Sequence, residues 1–252
     1  MIASIDARLA YRIARKRLTD PNGIFKISPA RMKSEVICSQ SYLRLEVPLR
    51  KQITAYQFPV TITQQHPGGE PVSIWENRLQ LQDSFFVNHI GYFFQVRKTN
   101  GSVPSAEESY NSQLFTYPTS KDQNCTQSFY ANETTNLWAG KLSLTIMNRV
   151  QTPGWDCYRH YVVPQTQSPF YTAPPPDGNI QQDEIDLGQD GFYPCEPYWT
   201  LVGSKSNLLT LELPQPPGVG IEADNAATEF VGEYRMVLIL RGILAQNSTT
   251  VK

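Results

Sequence analysis

Cys157 and His160 are the pair of residues best placed for chemistry, because they give the chain's only Cys-x-x-His spacing. A nucleophilic cysteine needs a histidine within hydrogen-bond reach and a third group that orients that histidine. The segment from Asp156 to Val163 is interpreted as a strand, on which positions three apart point to opposite faces. That geometry argues against catalysis. A zinc site is not favoured either, because two further ligands are lacking nearby.

The other two histidines are isolated in the sequence. His66 precedes Pro-Gly-Gly in a predicted turn, which favours a solvated loop residue. His89 falls on the less apolar face of a predicted strand, which favours a packed or surface residue. Neither histidine has the neighbours that a general base requires.

The sole acidic cluster consists of Asp183, Glu184, Asp186 and Asp190. Its order does not fit an EF-hand loop, so a solvated acidic loop is favoured over a cation site. A glycosidase or depolymerase would need two carboxylates facing a cleft about 5–10 Å apart, and only this loop offers candidates. We therefore expect no enzyme activity, no cofactor and no small-molecule substrate.

Aromatic residues among polar ones could form a platform for sugars or bases. The candidates are the four tryptophans, at positions 75, 138, 155 and 199. Each lies beside a strand-like segment, so core or interface packing is favoured. An exposed Trp138 or Trp155 in a shallow groove would instead favour a carbohydrate- or receptor-binding module.

Positive charge near the N-terminus is the feature that most favours a function. Residues 1–33 carry eight Lys or Arg against two Asp, whereas the rest of the chain carries 14 Lys or Arg against 21 Asp or Glu. A helix is predicted from Ser4 to about Leu18, with Ile2, Ile5, Leu9 and Ile13 on its apolar face. The basic residues expected to make contacts are Arg8, Arg12, Arg15, Lys16 and Arg17.

Three explanations for this basic helix stay open. It is an ordinary amphipathic helix docked on its own domain, or it contacts nucleic acid, or it contacts an acidic neighbouring subunit. Membrane binding is not favoured, because the apolar face lacks the Trp or Phe anchors of interfacial helices.

Composition places the chain among β-rich proteins. Of 252 residues, 18% are charged, and the 19 prolines and 15 glycines argue against a helical bundle. Neither a signal peptide nor a membrane-spanning run is predicted, which indicates synthesis in a cytoplasm. The four widely spaced cysteines are typical of reduced thiols, with a Cys157–Cys195 disulfide as the alternative.

Strand-like alternation begins near Val36 and recurs through the chain. In the stretch QDSFFVNHIGYFFQV (82–96), alternation places Phe86, Ile90, Tyr92, Phe94 and Val96 on one face. Phe85 and Phe93 fall on the other face with His89, so that face must also be covered. The segment Tyr234–Ala245 is apolar on both faces, which predicts the interior of a sheet.

The full set of segments predicts eight to ten strands without βαβ units. We expect an all-β antiparallel sandwich of the jelly-roll or Greek-key kind, over residues 34–252. Residues 1–33 would form a basic N-terminal arm. Long loops are predicted at 100–137 and 164–195, and loops of this length usually carry function or interfaces.

Several segments give the chain a resemblance to jelly-roll capsid proteins of bacterial viruses. They are the basic segment Arg8–Arg17, the two long loops, the C-terminal strand EYRMVLILRGILAQN, and the passage from Glu76-Asn77-Arg78-Leu79 to Phe85-Phe86-Val87. The resemblance implies a non-enzymatic subunit of a virion that assembles with copies of itself and with other virion proteins. It also implies that the basic arm reaches the genome or neighbouring subunits.

Overall fold

A computed structural model describes residues 2–50, 53–66, 73, 75–98, 114–116, 136–162, 191–217 and 232–249. Within these ranges the chain forms two α-helices, one 3₁₀ helix and eight strands. The helices are α1 (Ile2–Thr19), α2 (Pro29–Ser34) and the 3₁₀ helix Cys157–His160. The strands are β1 (Ile37–Pro48), β2 (Ala55–Phe58), β3 (Ser84–Lys98), β4 (Lys141–Ile146), β5 (Arg149–Asp156), β6 (Phe192–Val202), β7 (Asn207–Glu212) and β8 (Gly232–Gln246).

The strands form two antiparallel four-stranded sheets. Sheet A has the order β1-β8-β3-β6, and sheet B has the order β2-β7-β4-β5. Their inner faces share one core, to which β1 contributes Leu43 and Leu45 and β4 contributes Leu142 and Leu144. These residues alternate with more exposed ones, as expected for strands that bury one face. The predicted all-β antiparallel sandwich is therefore confirmed.

Strand β8 lies between β1 and β3 and is buried on both faces, as predicted. Leu238 and Leu240 point into the core between the sheets, whereas Val237 and Ile243 belong to clusters on the outer face of sheet A. An outer face covered in this way explains why β8 carries apolar residues on both faces.

A β-bulge in β3 overturns part of the predicted alternation. The register with both neighbouring strands shifts between Val87 and His89, which inserts one extra residue. Phe85 therefore lies in the core together with Tyr92, while Phe86 lies on the outer face of sheet A. The prediction that Phe86 shares a face with Tyr92 is wrong. The prediction that a second face is covered is confirmed.

Helix α1 lies on the outer face of sheet A. Ala10, Ala14 and Leu18 are buried there in a cluster that includes Phe86 and Ile243. The small alanines let the helix approach the sheet closely. Leu9, predicted on the apolar face, is 50% exposed, because the buried stripe is centred on the alanines.

Strands β4 and β5 form a hairpin. Met147 and Asn148, which connect them, both have positive φ and form a tight turn. The predicted strand Asp156–Val163 is wrong, because Cys157–His160 form a 3₁₀ helix. The Asp156 side chain caps this helix by accepting a hydrogen bond from Tyr158 N.

The two predicted long loops fall mostly outside the described residues. Their described parts include a turn at residues 136–139 and the start of β6. Because β6 begins at Phe192, the predicted loop 164–195 extends too far at its C-terminal end.

Candidate functional site

The exposed face of α1 carries a row of arginines. Arg8, Arg12 and Arg15 are exposed and follow one another at spacings of four and three residues, so they share one face of the helix. The Arg15 guanidinium lies 5.7 Å from the centre of the Tyr11 ring, on the same face. Lys16 is exposed beside them.

Arg17 differs from the other basic residues of α1 because it points into the protein. Its Nη1 donates hydrogen bonds to the Tyr198 carbonyl oxygen at 2.7 Å and to Thr200 Oγ1 at 2.8 Å. Both acceptors belong to β6, the edge strand of sheet A. Arg17 thus fixes the helix on the sheet.

A surface groove of about 550 Å³ lies between α1 and sheet A. It is lined by Arg8, Tyr11, Arg12 and Arg15 of α1 and by Gln40 and Ile243 of the sheet, and we call it the basic groove. Gln40 and Ile243 are paired across β1 and β8. The described lining has three cations, one aromatic ring and no carboxylate, so its chemistry suits an anion.

The sheet continues this surface beyond the basic groove. Tyr42 and Arg241 form the pair two positions along from Gln40 and Ile243, so they project from the same face about 7 Å away. Tyr42 is 52% exposed, and the Arg241 guanidinium carbon lies 3.5 Å from the centre of the Phe192 ring. Sequence reasoning missed both residues, because only the pairing of β1 with β8 places them next to each other and beside the groove.

Cys157 and His160 lie at the first and last positions of the 3₁₀ helix. Residues three apart eclipse on such a helix, so the predicted opposite faces are wrong. His160 is nevertheless fully used by other partners. Its Nδ1–H donates to the Gly191 carbonyl oxygen at 2.9 Å, and its Nε2 accepts from Trp155 Nε1 at 2.9 Å.

Burial disfavours chemistry at these residues. It lowers the pKa of His160 to about 4 and raises the pKa of the Cys157 thiol well above its ordinary value. Burial also raises the pKa of Cys195 to about 12. A neutral His160 with both ring nitrogens bonded and buried, protonated thiols at Cys157 and Cys195 contribute to packing of the core. Cys38, Cys157 and Cys195, the cysteines that the structure describes, form no disulfide, as predicted in preference to a Cys157–Cys195 pair.

His66 is buried, so its predicted place in a solvated turn is wrong. Its Nε2 lies 3.0 Å from Glu76 Oε2 and 2.6 Å from Arg78 Nη2. Arg78 also pairs with Glu76 at 2.7 Å. The other oxygen of Glu76 accepts a hydrogen bond from the backbone of Glu46 in β1, so this charged cluster anchors the segment before β3 to sheet A. His89 is half-buried within β3.

Three of the four tryptophans are core residues, as predicted. Trp138, Trp155 and Trp199 are buried in the cluster between the sheets, which removes the exposed rings that a sugar-binding groove would have needed. Trp75 is 49% exposed. The acidic cluster from Asp183 to Asp190 lies outside the described residues. In the described part of the chain, no three His, Cys, Asp or Glu side chains come together as metal ligands would.

The chain matches no protein-family model, no curated protein and no solved structure. Among the described residues, neither helix has the length and hydropathy needed to cross a membrane.

Proposed function

We propose that the protein is a jelly-roll capsid subunit that assembles with copies of itself into a symmetric shell, without enzyme activity. The observation that carries this proposal is the pairing pattern of the strands. The first strand pairs with the eighth, the second with the seventh, the third with the sixth and the fourth with the fifth. A long antiparallel ribbon folded in half has these pairs.

Winding of that ribbon accounts for the remaining contacts. The pairs β3–β8 and β4–β7 join the wound ribbon into two sheets of four strands. Eight strands arranged in this way match the jelly roll, which occurs in viral capsids, lectins and cupins. The strand order therefore supports the jelly-roll assignment, and the choice among its functions depends on the surfaces and the interior.

The filled interior favours a structural role for the sandwich and disfavours a ligand-binding one. Phe58, Tyr92, Phe94 and Trp138 are all buried between the sheets and fill the space where a cupin or lipocalin-like protein would hold a ligand. Function then depends on the outer faces of the sandwich and on the loops.

The outer face of sheet B offers a surface for contact between copies. Leu208, Thr145 and Val150 form one row across β7, β4 and β5, with Val150 62% and Leu208 40% exposed. Ser143 and Thr210 form the next pair on the same face. An apolar and uncharged polar patch of this kind is typical of interface centres, where charged residues are depleted. Cyclic symmetry would pair the patch with the same patch or with another face of the next copy.

Assembly is tested with purified protein by negative-stain electron microscopy and analytical ultracentrifugation. We expect closed particles for the wild type, and loss of particles for the double variant Val150→Glu/Leu208→Glu, because two buried carboxylates would disfavour the interface. Ile24→Glu adds a charge at an exposed apolar position between α1 and α2 and serves as the control. A wild-type protein that stays a monodisperse monomer at all concentrations would contradict the proposal.

A further inference from the structure

We propose that the basic groove binds the phosphate backbone of a single-stranded nucleic acid and that Tyr11 and Tyr42 stack on its bases. This inference names the partner of the basic helix, and it rests on the proposed function only for the statement that the strand is a packaged genome.

Charge is the first argument. A rise of about 1.5 Å per residue spreads Arg8, Arg12 and Arg15 over about 10 Å of the helix. None of the three forms an ion pair with another described residue, and the described residues that line the groove include no carboxylate. Three guanidinium groups on one helix face repel one another, and a row of phosphates would relieve that repulsion. Guanidinium groups also match phosphate oxygens in geometry, because they donate two parallel hydrogen bonds.

The aromatic rings are the second argument, and they favour a single strand over a duplex. Tyr11 lines the basic groove, and Tyr42 projects beside it from β1. Exposed rings next to a positive groove are the arrangement by which proteins hold single strands without reading their sequence. The bases of a duplex are paired and stacked on one another, so they are not available to these rings.

The position of Arg241 is the third argument. It is paired with Tyr42 and exposed, and it lies on the same face as Ile243 of the groove. Arg241 therefore adds a positive charge beside the groove, next to the additional aromatic ring of Tyr42. The described floor residues, Gln40 and Ile243, are neutral and do not oppose an anion.

The main competitor is an acidic face of a second copy, since residues 34–252 carry the chain's excess of carboxylates. Such a face would satisfy the arginines, but it would give the exposed tyrosines no bases to stack on. The two partners are separated by the measurements below.

Binding is measured by fluorescence anisotropy with a labelled 20-nucleotide oligo(dT) and a 20-base-pair duplex over a series of KCl concentrations. With three or four phosphates neutralised on a single strand, the logarithm of the affinity should fall with the logarithm of salt concentration with a slope of about −2 to −3. The triple variant Arg8→Gln/Arg12→Gln/Arg15→Gln should weaken binding at least about tenfold at low salt and reduce the slope by about 2.

A matched control removes equal charge from sheet B and its flanking turn. Lys141→Gln/Arg149→Gln/Lys205→Gln changes three exposed basic residues outside the groove and should leave the affinity within about twofold. The variant Tyr11→Ala/Tyr42→Ala should weaken oligo(dT) binding at least about fivefold with the salt slope unchanged, because stacking does not release counterions. Thermal melting checks that each variant is folded.

Equal losses in the groove variant and the control variant would overturn the inference, since binding would then reflect general charge. Tighter binding of the duplex, unaffected by the tyrosine changes, would overturn the single-strand assignment. A groove variant that binds oligo(dT) normally but no longer forms particles would identify a subunit contact instead. If the wild type binds oligo(dT) through the groove and never assembles, the proposed function fails while the inference stands.

Discussion

Acidification is expected to destabilise the fold through His160. Burial lowers the pKa of this imidazole in the folded protein from 6.5 to about 4, and the neutral ring uses both nitrogens, toward Gly191 and Trp155. Protonation at Nε2 would place a hydrogen against the Trp155 N–H and break that bond. In the unfolded chain the ring is solvated and takes up a proton near its ordinary pKa.

The sign and size of the effect follow from linkage. Because the folded-state pKa is the lower one, the unfolded state binds the proton first, and stability falls as the pH drops below about 6.5. The loss reaches about 1.4 kcal/mol at pH 5.5 and about 3 kcal/mol at pH 4, and it levels off below the folded-state pKa.

The assay is urea unfolding followed by tryptophan fluorescence at pH 7, 5.5 and 4, with His160→Gln as the reference. Glutamine does not titrate, so other groups affect both proteins alike and cancel in the difference. At pH 7 the variant should be less stable by about 1–3 kcal/mol, because one of the two buried hydrogen bonds is lost. The advantage of the wild type should shrink by about 3 kcal/mol between pH 7 and pH 4. A difference that stays constant over this range would refute the reasoning.

Two further variants probe the docking of α1 and the packing of β3. Arg17→Gln should cost about 1–3 kcal/mol in urea unfolding, because two hydrogen bonds from a charged group to β6 are lost, whereas Lys16→Gln at an exposed position should be nearly neutral. Gly91→Ala should cost about 1–3 kcal/mol, because a Cβ there would lie 2.6 Å from the Phe192 ring. Gly154→Ala is the control, since the nearest atom to its Cβ would be 3.9 Å away, and equal effects of the two alanines would contradict the packing argument.

Alternation and composition were sufficient to predict the fold class, because strands that bury one face repeat apolar residues with period two. The central position of β8 could be predicted because its segment is apolar on both faces, and Leu238 and Ile243 do lie in clusters on opposite sides of the sheet. The bulge after Val87 could not. A single extra residue exchanges the two faces for every side chain that follows it in the strand. Nothing in the residue type of Asn88 marks it as the inserted residue.

Local geometry also decided the candidate chemistry. The segment after Asp156 is rich in aromatic residues, which favours a strand, but the Asp156 side chain caps a turn of 3₁₀ helix. His160 therefore faces the same way as Cys157, but its two ring nitrogens are bonded to Gly191 and Trp155 and not to the thiol. The partner at Gly191 is 31 residues away and could not be inferred from spacing.

The basic groove is formed by neighbouring residues of one helix together with residues of two strands that are distant in the sequence. Arg8, Arg12 and Arg15 follow from helical spacing, whereas Gln40 and Ile243 meet them only because the first strand pairs with the last. That pairing places the groove on the outer face of sheet A, while the uncharged patch lies on the outer face of sheet B. If copies associate patch to patch through sheet B, as one form of the proposed contact, the groove on sheet A is left uncovered and the two contacts do not compete. The variant Val150→Glu/Leu208→Glu, which alters only the sheet B patch, should therefore bind oligo(dT) within about twofold of the wild type, and a larger loss would show that the two surfaces are not independent.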